Sequence, residues 1–332
     1  MSGLSYMLLP GTDAPFNLAS EQFVFDALPR DRSWFLLWQN RSAVIIGKHQ
    51  DTLAEINRPF VEAHGIQVVR RPSGGGAVYH DLGNLNYTII TDAGSTEKLD
   101  MSLFCQPVLR VLRALGVPAE LSGRNDMTVD GKKFSGSAQY LRRGRIQHHG
   151  TLLFDSDLET VRQALQVDPD KIRSKGLASV RSRVTNLRPW LPEGTDLPRF
   201  RELLLREILR ENPGEEYAFS PAELAQIEDL CQSRYRSWDW NYGVSPPCSR
   251  ILKRRFEHCG MVEARMQVEH GLISALEFRG DFFSAEEPES LALRLIGLPP
   301  ERAPITAALE GTEVSRYLMG LENEQLIGLL CE

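Results

Sequence analysis

The sequence predicts a two-domain α+β protein of mixed α/β character. Three observations carry that expectation. At roughly 150 residues per domain, a chain of 332 residues holds two domains. Strand-like and helix-like segments alternate over the first two-thirds. Around Gly243, Pro246 and Pro247 the alternation breaks, and three strand-like runs followed by helical ones make the grammar of a small α+β domain of about 85 residues. The expected domains are residues 1–244 and 245–332.

In the first of these, residues 6–9 read as a strand, and Asn17 can cap a helix running to about Leu28 with Leu18, Phe25 and Leu28 facing inward. Residues 34–38 and 43–46 read as adjacent strands. Residues 51–63 read as one helix closed by Gly65, and 66–69 and 84–91 as buried strands. Residues 101–115 carry Phe104, Val108, Val111, Leu112 and Leu115 at helical spacing, with Pro107 either kinking the helix or sitting in its first turn. Residues 126–141 fold back at Asp130-Gly131 as a hairpin, and 146–154 form a third strand. A long basic segment occupies 169–192. Helices follow at 198–209 and 221–235. In the second domain the strands are 249–257, 261–269 and 272–278, with helices from 287 onward.

Hydrophobic residues make up 42% and charged residues 25%, which excludes a disordered chain, a collagen and a long coiled coil. The net charge of −6 argues against a general nucleic-acid coat. No apolar run approaches about 18 residues, so no membrane span is expected, and the N-terminus lacks the pattern of a signal peptide. Five cysteines, odd in number and without a Cys-x-x-Cys pair, read as thiols of a reduced, cytoplasmic protein.

Four segments carry possible chemistry. Arg70-Arg71-Pro72-Ser73-Gly74-Gly75-Gly76-Ala77-Val78-Tyr79-His80-Asp81 joins two forked cations to backbone amides that no side chain shields, an arrangement able to wrap an anion. It lacks the spacing of a Walker A loop or a Rossmann fingerprint, and a plain flexible hairpin is its alternative. In the second segment, strict alternation puts Lys133, Ser135 and Ser137 on one strand face, kept slim opposite by Gly136 and Ala138. Asp126, across the hairpin, is able to hold a metal ion or to position a lysine, and a solvated edge strand is the alternative. The neighbours His148 and His149 point to opposite faces, which argues against a shared zinc ion. Finally, Lys171, Arg173, Lys175, Arg181, Arg183 and Arg188 crowd a stretch with no acid from 171 to 192, as a loop folding over a nucleotide would, or as a merely solvated loop.

Together these strings resemble the bacterial lipoate-protein ligase A family. The matching segments are 70–81 with Gly83-Asn84, then Gly123-Arg124-Asn125-Asp126, 133–138, 148–153, and Lys175-Gly176 with 179–187, in that order and spacing. Phe16-Asn17-Leu18 and 238–243 are similar to its long, two-domain form, and only 193–235 matches poorly. The resemblance implies a biotin/lipoate ligase-like catalytic domain, related to those of class II aminoacyl-tRNA synthetases, plus a small C-terminal α+β domain.

It also implies a two-step reaction using ATP and Mg2+. Lipoate becomes lipoyl-AMP, and a lysine of an acceptor then takes the acyl group. The implied acceptors are lipoyl domains of 2-oxoacid dehydrogenase complexes and the glycine cleavage H protein, with no nucleic acid or membrane partner and a monomeric enzyme. Lys133 is the implied catalytic residue. Arg71, Gly76, Ala77, Val78, Tyr79, Lys133, Asp126, Ser179 and Arg183 would meet ATP. Arg70, Ser73, Gly74, Gly75, Lys133, Ser135, His149 and Gly150 would meet lipoate. Asp126 would serve magnesium or orient Lys133, and 171–192 would close over the adenylate. Three rivals stand beside this reading. The nearest is an octanoyltransferase of the same fold, some of which need a cysteine nucleophile, for which Cys105 is the candidate, although a buried packing role suits that residue better. A biotin ligase is disfavoured by the loop sequence, and a non-catalytic binder of lipoyl domains by the presence of Lys133 and Asp126.

Overall fold

The computed structural model describes residues 3–93, 101–123, 125–165, 184–243 and 250–331. The N-terminal elements run β1 (Leu4–Leu8), α1 (Ala14–Ala27), β2 (Ser33–Trp38), β3 (Ala43–Ile46), α2 (Thr52–Glu55), α3 (Arg58–Ala63), β4 (Gln67–Arg70), β5 (Val78–His80) and β6 (Asn84–Asp92). They continue through α4 (Met101–Ala114), β7 (Ala119–Ser122), β8 (Asp126–Val129), β9 (Lys132–Arg142), β10 (Arg145–Leu153), α5 (Leu158–Ala164), a helix at Leu197–Glu211, β11 (Gly214–Glu216) and a helix at Pro221–Leu230. An eight-stranded sheet has the order β11-β1-β2-β6-β10-β9-β8-β7, and a smaller sheet the order β4-β3-β5. Strands β12 (Arg250–Phe256), β13 (Gly260–Glu269) and β14 (Leu272–Gly280) form an antiparallel meander with its own apolar core.

Both faces of the large sheet are covered, which explains the unbroken apolar run of β2. Trp34, Leu36 and Trp38 pack with α1, while Phe35 and Leu37 pack with α4 on the other side. Each layer alternates along the strand as the pleat requires.

Several expectations need correction. Residues 34–38 and 43–46 are strands, but they belong to different sheets rather than to one pair. The helix at 51–63 is two short ones, α2 and α3, interrupted where Ile56 bridges Leu165 and the Asn57 amide donates to Ala164. The cap of α1 is Asp13, which accepts from the Phe16 amide. Asn17 lies inside the helix, fully buried, donating to the Gly11 and Gln39 carbonyls. Helix α4 runs through Pro107. The turn at Asp130 and Gly131 has φ of 50° and 69°, the left-handed pair that closes a two-residue hairpin.

Candidate active site

One irregularity in β9 decides where Lys133 points. Met127 pairs with Ser135 and Thr128 with Lys133, so Phe134 is an extra residue without a partner. Such a bulge shifts the alternation of faces by one. Lys133 therefore shares a face with Gly136 and Ala138, not with Ser135 and Ser137. The Lys133 Nζ lies 2.8 Å from Asp126 Oδ1, and a β-carbon on Gly136 would lie 3.0 Å from that nitrogen. Glycine at 136 thus makes room for the ammonium group over the strand. Phe134 and Ser135 are fully buried, and Ser137 turns to Tyr87 on the α4 side. The expected common face of Lys133, Ser135 and Ser137 does not exist.

Lys133 stands at the mouth of a cavity of about 100 Å³. Its floor is the α1 side of the large sheet, with Trp38, Asn86, Ala138, His149, Gly150 and Thr151. Its opposite wall is the glycine loop and small sheet, with Arg71, Gly75, Gly76, Ala77, Val78 and His80. Of the residues expected at the site, Arg71, Gly75, Gly76, Ala77, Val78, Lys133, His149 and Gly150 meet here. Arg70, Ser73, Gly74, Tyr79 and Ser135 do not line the cavity. Asp126 touches it through Lys133. Ser179 and Arg183 lie outside the described residues, but Val184 bridges Lys133 in parallel and the Thr185 amide donates to its carbonyl at 2.8 Å. The far end of the basic segment is therefore anchored beside the lysine.

Arg70 has another task. Its Nη1 donates to the carbonyls of Gly47, Lys48 and Gln50. Its Nη2 donates to Thr52 Oγ1 and the Asn241 carbonyl, and its Nε to the Trp240 carbonyl. The guanidinium fork is spent on backbone oxygens, so Arg70 ties the 47–52 loop to the helix Trp238–Asn241 and has no donor left for a substrate.

Arg71 clasps the loop itself. It donates to Ser73 Oγ at 3.0 Å and to the carbonyls of Ile45, Gly74 and Gly76. Burial, with the charge of Arg70 nearby, pulls the pKa of Arg71 down to about 10, still a cation at neutral pH. Ser73 Oγ is 2.7 Å from His149 Nε2, and His149 Nδ1 is 3.2 Å from the carboxylate of Glu21 on α1. A glutamate carboxylate accepts, so His149 Nδ1 is the donor toward Glu21. The chain Arg71–Ser73–His149–Glu21 thus joins a buried cation to a buried anion, and Thr88 also donates to Glu21.

The second domain reaches this loop. The Gly75 amide donates to the Phe282 carbonyl at 3.1 Å. Gly75 has φ of 89°, and a β-carbon there would strike the Phe283 ring. Phe283 is fully buried and packs on Ala138 of the cavity floor. Arg265 pairs with Asp51 at 2.7 Å across the same junction.

Residues 13–209 match the family of lipoyl protein ligase A/B catalytic domains, and residues 245–330 match the bacterial lipoate protein ligase C-terminus. The chain belongs to the lipoate-protein ligase family. Lipoate-protein ligase LplJ of Bacillus subtilis is 41% identical over 96% of this chain and 97% of its own. The structure of LipL1 of P. falciparum in complex with lipoate superposes with a TM-score of 0.79 at 22% identity, covering 99% of both chains, a likeness of fold. A lipoate-protein ligase A bound with ATP gives a TM-score of 0.62 at 25% identity, over 74% of this chain and 100% of its own.

In this family member, sequence reasoning missed Glu21, and left His80 and Asn86 without a role. Glu21 had a readable signal: it falls between Leu18 and Phe25 on the apolar face of α1, where an acid needs a buried partner. Among the described residues, no helix is long and apolar enough to cross a membrane.

Proposed function

We propose that this protein activates lipoate with ATP and transfers the lipoyl group to a lysine of a lipoyl domain. The observation that carries the reading is the Lys133 ammonium, held by Asp126 over Gly136 at the mouth of a cavity lined by both apolar and polar side chains. In the first step a carboxylate oxygen of lipoate attacks the α-phosphorus of ATP, and pyrophosphate leaves. Two anions meet, and a fixed cation between them stabilises the charge gathering on the phosphoryl oxygens. The amides of Gly76, Ala77 and Val78, stiffened by the Arg71 clasp, line the side from which the nucleotide approaches. His149 and Gly150 border the acyl chain, and Ser179 and Arg183 complete the nucleotide side in this reading.

Asp126 is the carboxylate beside Lys133, and one of its oxygens already accepts from the lysine. That donor set fits a magnesium ion arriving on the nucleotide's phosphates rather than a dedicated protein cage. When bound, the ion would neutralise phosphate charge, with Asp126 as its protein contact.

In the second step the neutral amine of the acceptor lysine attacks the acyl carbonyl of the mixed anhydride and AMP leaves. At pH 7 only about 0.04% of a free lysine is neutral, so a cationic rim that disfavours the ammonium form assists the attack. Residues 1–244 form the catalytic domain in this proposal and 245–332 the accessory one. The octanoyltransferase alternative loses support from geometry. Cys105 is fully buried on α4, 3.5 Å from Ser137 Oγ, on the opposite face of the sheet from Lys133.

Lipoate-dependent exchange of labelled pyrophosphate into ATP tests the reading. A ligase gives exchange that requires the acid, while a transferase or a mere binder gives none.

A further inference from the structure

Beneath Lys133 the large sheet splits. Strands β9 and β10 pair from Arg142 with Arg145 as far as Ser137 with Gly150. The next pair in that register would be Gly136 with Thr151, but the ladder stops short of it. Instead the Gly136 amide donates to the side-chain oxygen of Thr151, Oγ1, at 3.2 Å, and that hydroxyl lies 3.4 Å from the Gly136 carbonyl. A side chain has taken the donor that a partner strand's carbonyl meets in a regular antiparallel ladder.

Past that point another segment fills the fork. Lys133 of β9 bridges Val184 in parallel, and its carbonyl accepts from the Thr185 amide at 2.8 Å. The Leu153 carbonyl of β10 accepts from the Leu187 amide at 2.7 Å. Residues 184–187 thus bond to one strand at their start and to the other at their end, and Thr151 stands where the strands divide. Its own backbone is held from the far side, where β10 pairs Thr151 with Asn86 of β6. From the near side Gly136 pairs with Asp126 of β8, so Asp126, Gly136 and Thr151 form a row across three strands. Lys133 lies over the middle of that row. A β-carbon on Gly136 would sit 3.0 Å from its Nζ and 3.2 Å from its Cε, and Nζ pairs with Asp126 Oδ1 at 2.8 Å. The Thr151 hydroxyl therefore fixes the glycine over which the ammonium group rests, at the fork that holds the Lys133 main chain.

We propose that Thr151 is a positioning residue for Lys133: its hydroxyl, through the Gly136 amide, sets where the ammonium group stands relative to the reacting carboxylate and α-phosphate. This inference rests on the ligase reading and adds to it a residue that acts through the lysine. A catalytic group displaced by about 1 Å loses up to about a hundredfold in rate, while binding of lipoate, carried by the rest of the cavity, is left in place. Valine is close to threonine in shape and also β-branched, so exchanging the two removes the hydroxyl and keeps the strand.

The experiment measures adenylate formation in Thr151→Val and Thr151→Ser. The expected result is that Thr151→Val lowers kcat about tenfold, with KM for lipoate and the melting temperature close to wild type, and that Thr151→Ser recovers most of the rate. An unchanged kcat in Thr151→Val, a loss in Thr151→Ser as large as in Thr151→Val, or a rise in KM with kcat intact overturns the proposal. A double variant shows whether the threonine acts through the lysine. In a Lys133→Ala background, Thr151→Val should cost no more than about a further twofold, whereas independent effects would multiply in full, and full multiplication overturns the proposal. Amide exchange on the wild type covers the case in which Thr151→Val does not fold. The Gly136 amide should exchange slowly there and in Thr151→Ser, and exchange as fast as in an open loop overturns the proposal. If the wild type forms no adenylate, the ligase reading fails and this inference with it. If it does, and Thr151→Val matches it, this inference alone fails.

Discussion

Lys133 owes its aim to Phe134, the unpaired residue that rotates the strand under it. The lysine contributes little packing, since it is partly exposed and touches Asp126 through its charge. Lys133→Ala should therefore melt like the wild type while adenylate formation falls on the order of a hundred- to a thousandfold, the usual loss for one preorganised donor. Single-turnover formation of lipoyl-AMP checks it, and a near wild-type rate would remove Lys133 from the centre of the mechanism. Arg70 should behave in the opposite way. Arg70→Met strands buried carbonyls of Gly47, Lys48, Gln50 and Trp240, and each unmet acceptor is costly, so a loss on the order of 3 kcal/mol or more is expected. Urea denaturation measures it, and the refolded fraction should keep its KM for lipoate. A stable Arg70→Met protein with a raised KM would return Arg70 to the substrate. The lysine, the aspartate and Arg71 were legible in the sequence because charged groups beside glycines are conspicuous there. The division of labour between Arg70 and Arg71 was not, since it depends on which carbonyls fold back to meet each fork.

At the level of elements, the strands of the sheet were legible from their apolar runs and from Asp130-Gly131, whose left-handed turn closes one hairpin. Three features escaped. The bulge at Phe134 leaves no mark on composition, so strict alternation misplaced Ser135 and Ser137. The break between α2 and α3 comes from a tertiary bridge, Ile56 to Leu165, that local pattern cannot see. Strand β5 is only three residues long and lies within the motif that drew notice for its glycines. Helix α4 supplies a further test. Its Cys105 lies within 3.9 Å of Tyr87 Oη, Ser137 Oγ and His148 Nε2, so a serine hydroxyl there finds partners. Cys105→Ser should keep both adenylate formation and transfer, with stability changed by no more than about 1 kcal/mol. A folded but inactive Cys105→Ser protein would revive the octanoyltransferase alternative.

Across the whole molecule, buried neutral histidines make stability depend on pH. Burial brings His80 and His148 down to about 3, and His49, stacked on Phe282 between the domains, also lies well below its ordinary value. Unfolded, each takes a proton near 6.5, so the unfolded state binds more protons below that pH. Stability is then full above 6.5 and declines as pH falls toward 3. For His80 and His148 together the loss between pH 8 and 5.5 is on the order of 2–3 kcal/mol. Urea midpoints at those two values should differ in that direction, and equal midpoints would contradict the neutral assignment. The domain junction adds another expectation. Phe283→Ala opens a void between Gly75 and the cavity floor, so stability should drop by about 3 kcal/mol or more and KM for lipoate should rise. A KM left unchanged would show that the second domain does not shape the cavity. The central claim, that this cavity and its lysine carry out ATP-dependent lipoylation, is tested most directly by intact-mass analysis of a lipoyl domain after incubation with the protein, lipoate and ATP. One added lipoyl amide on a single lysine, absent without ATP and absent with Lys133→Ala, is the predicted result. An unmodified lipoyl domain, or modification that proceeds without ATP, would contradict it.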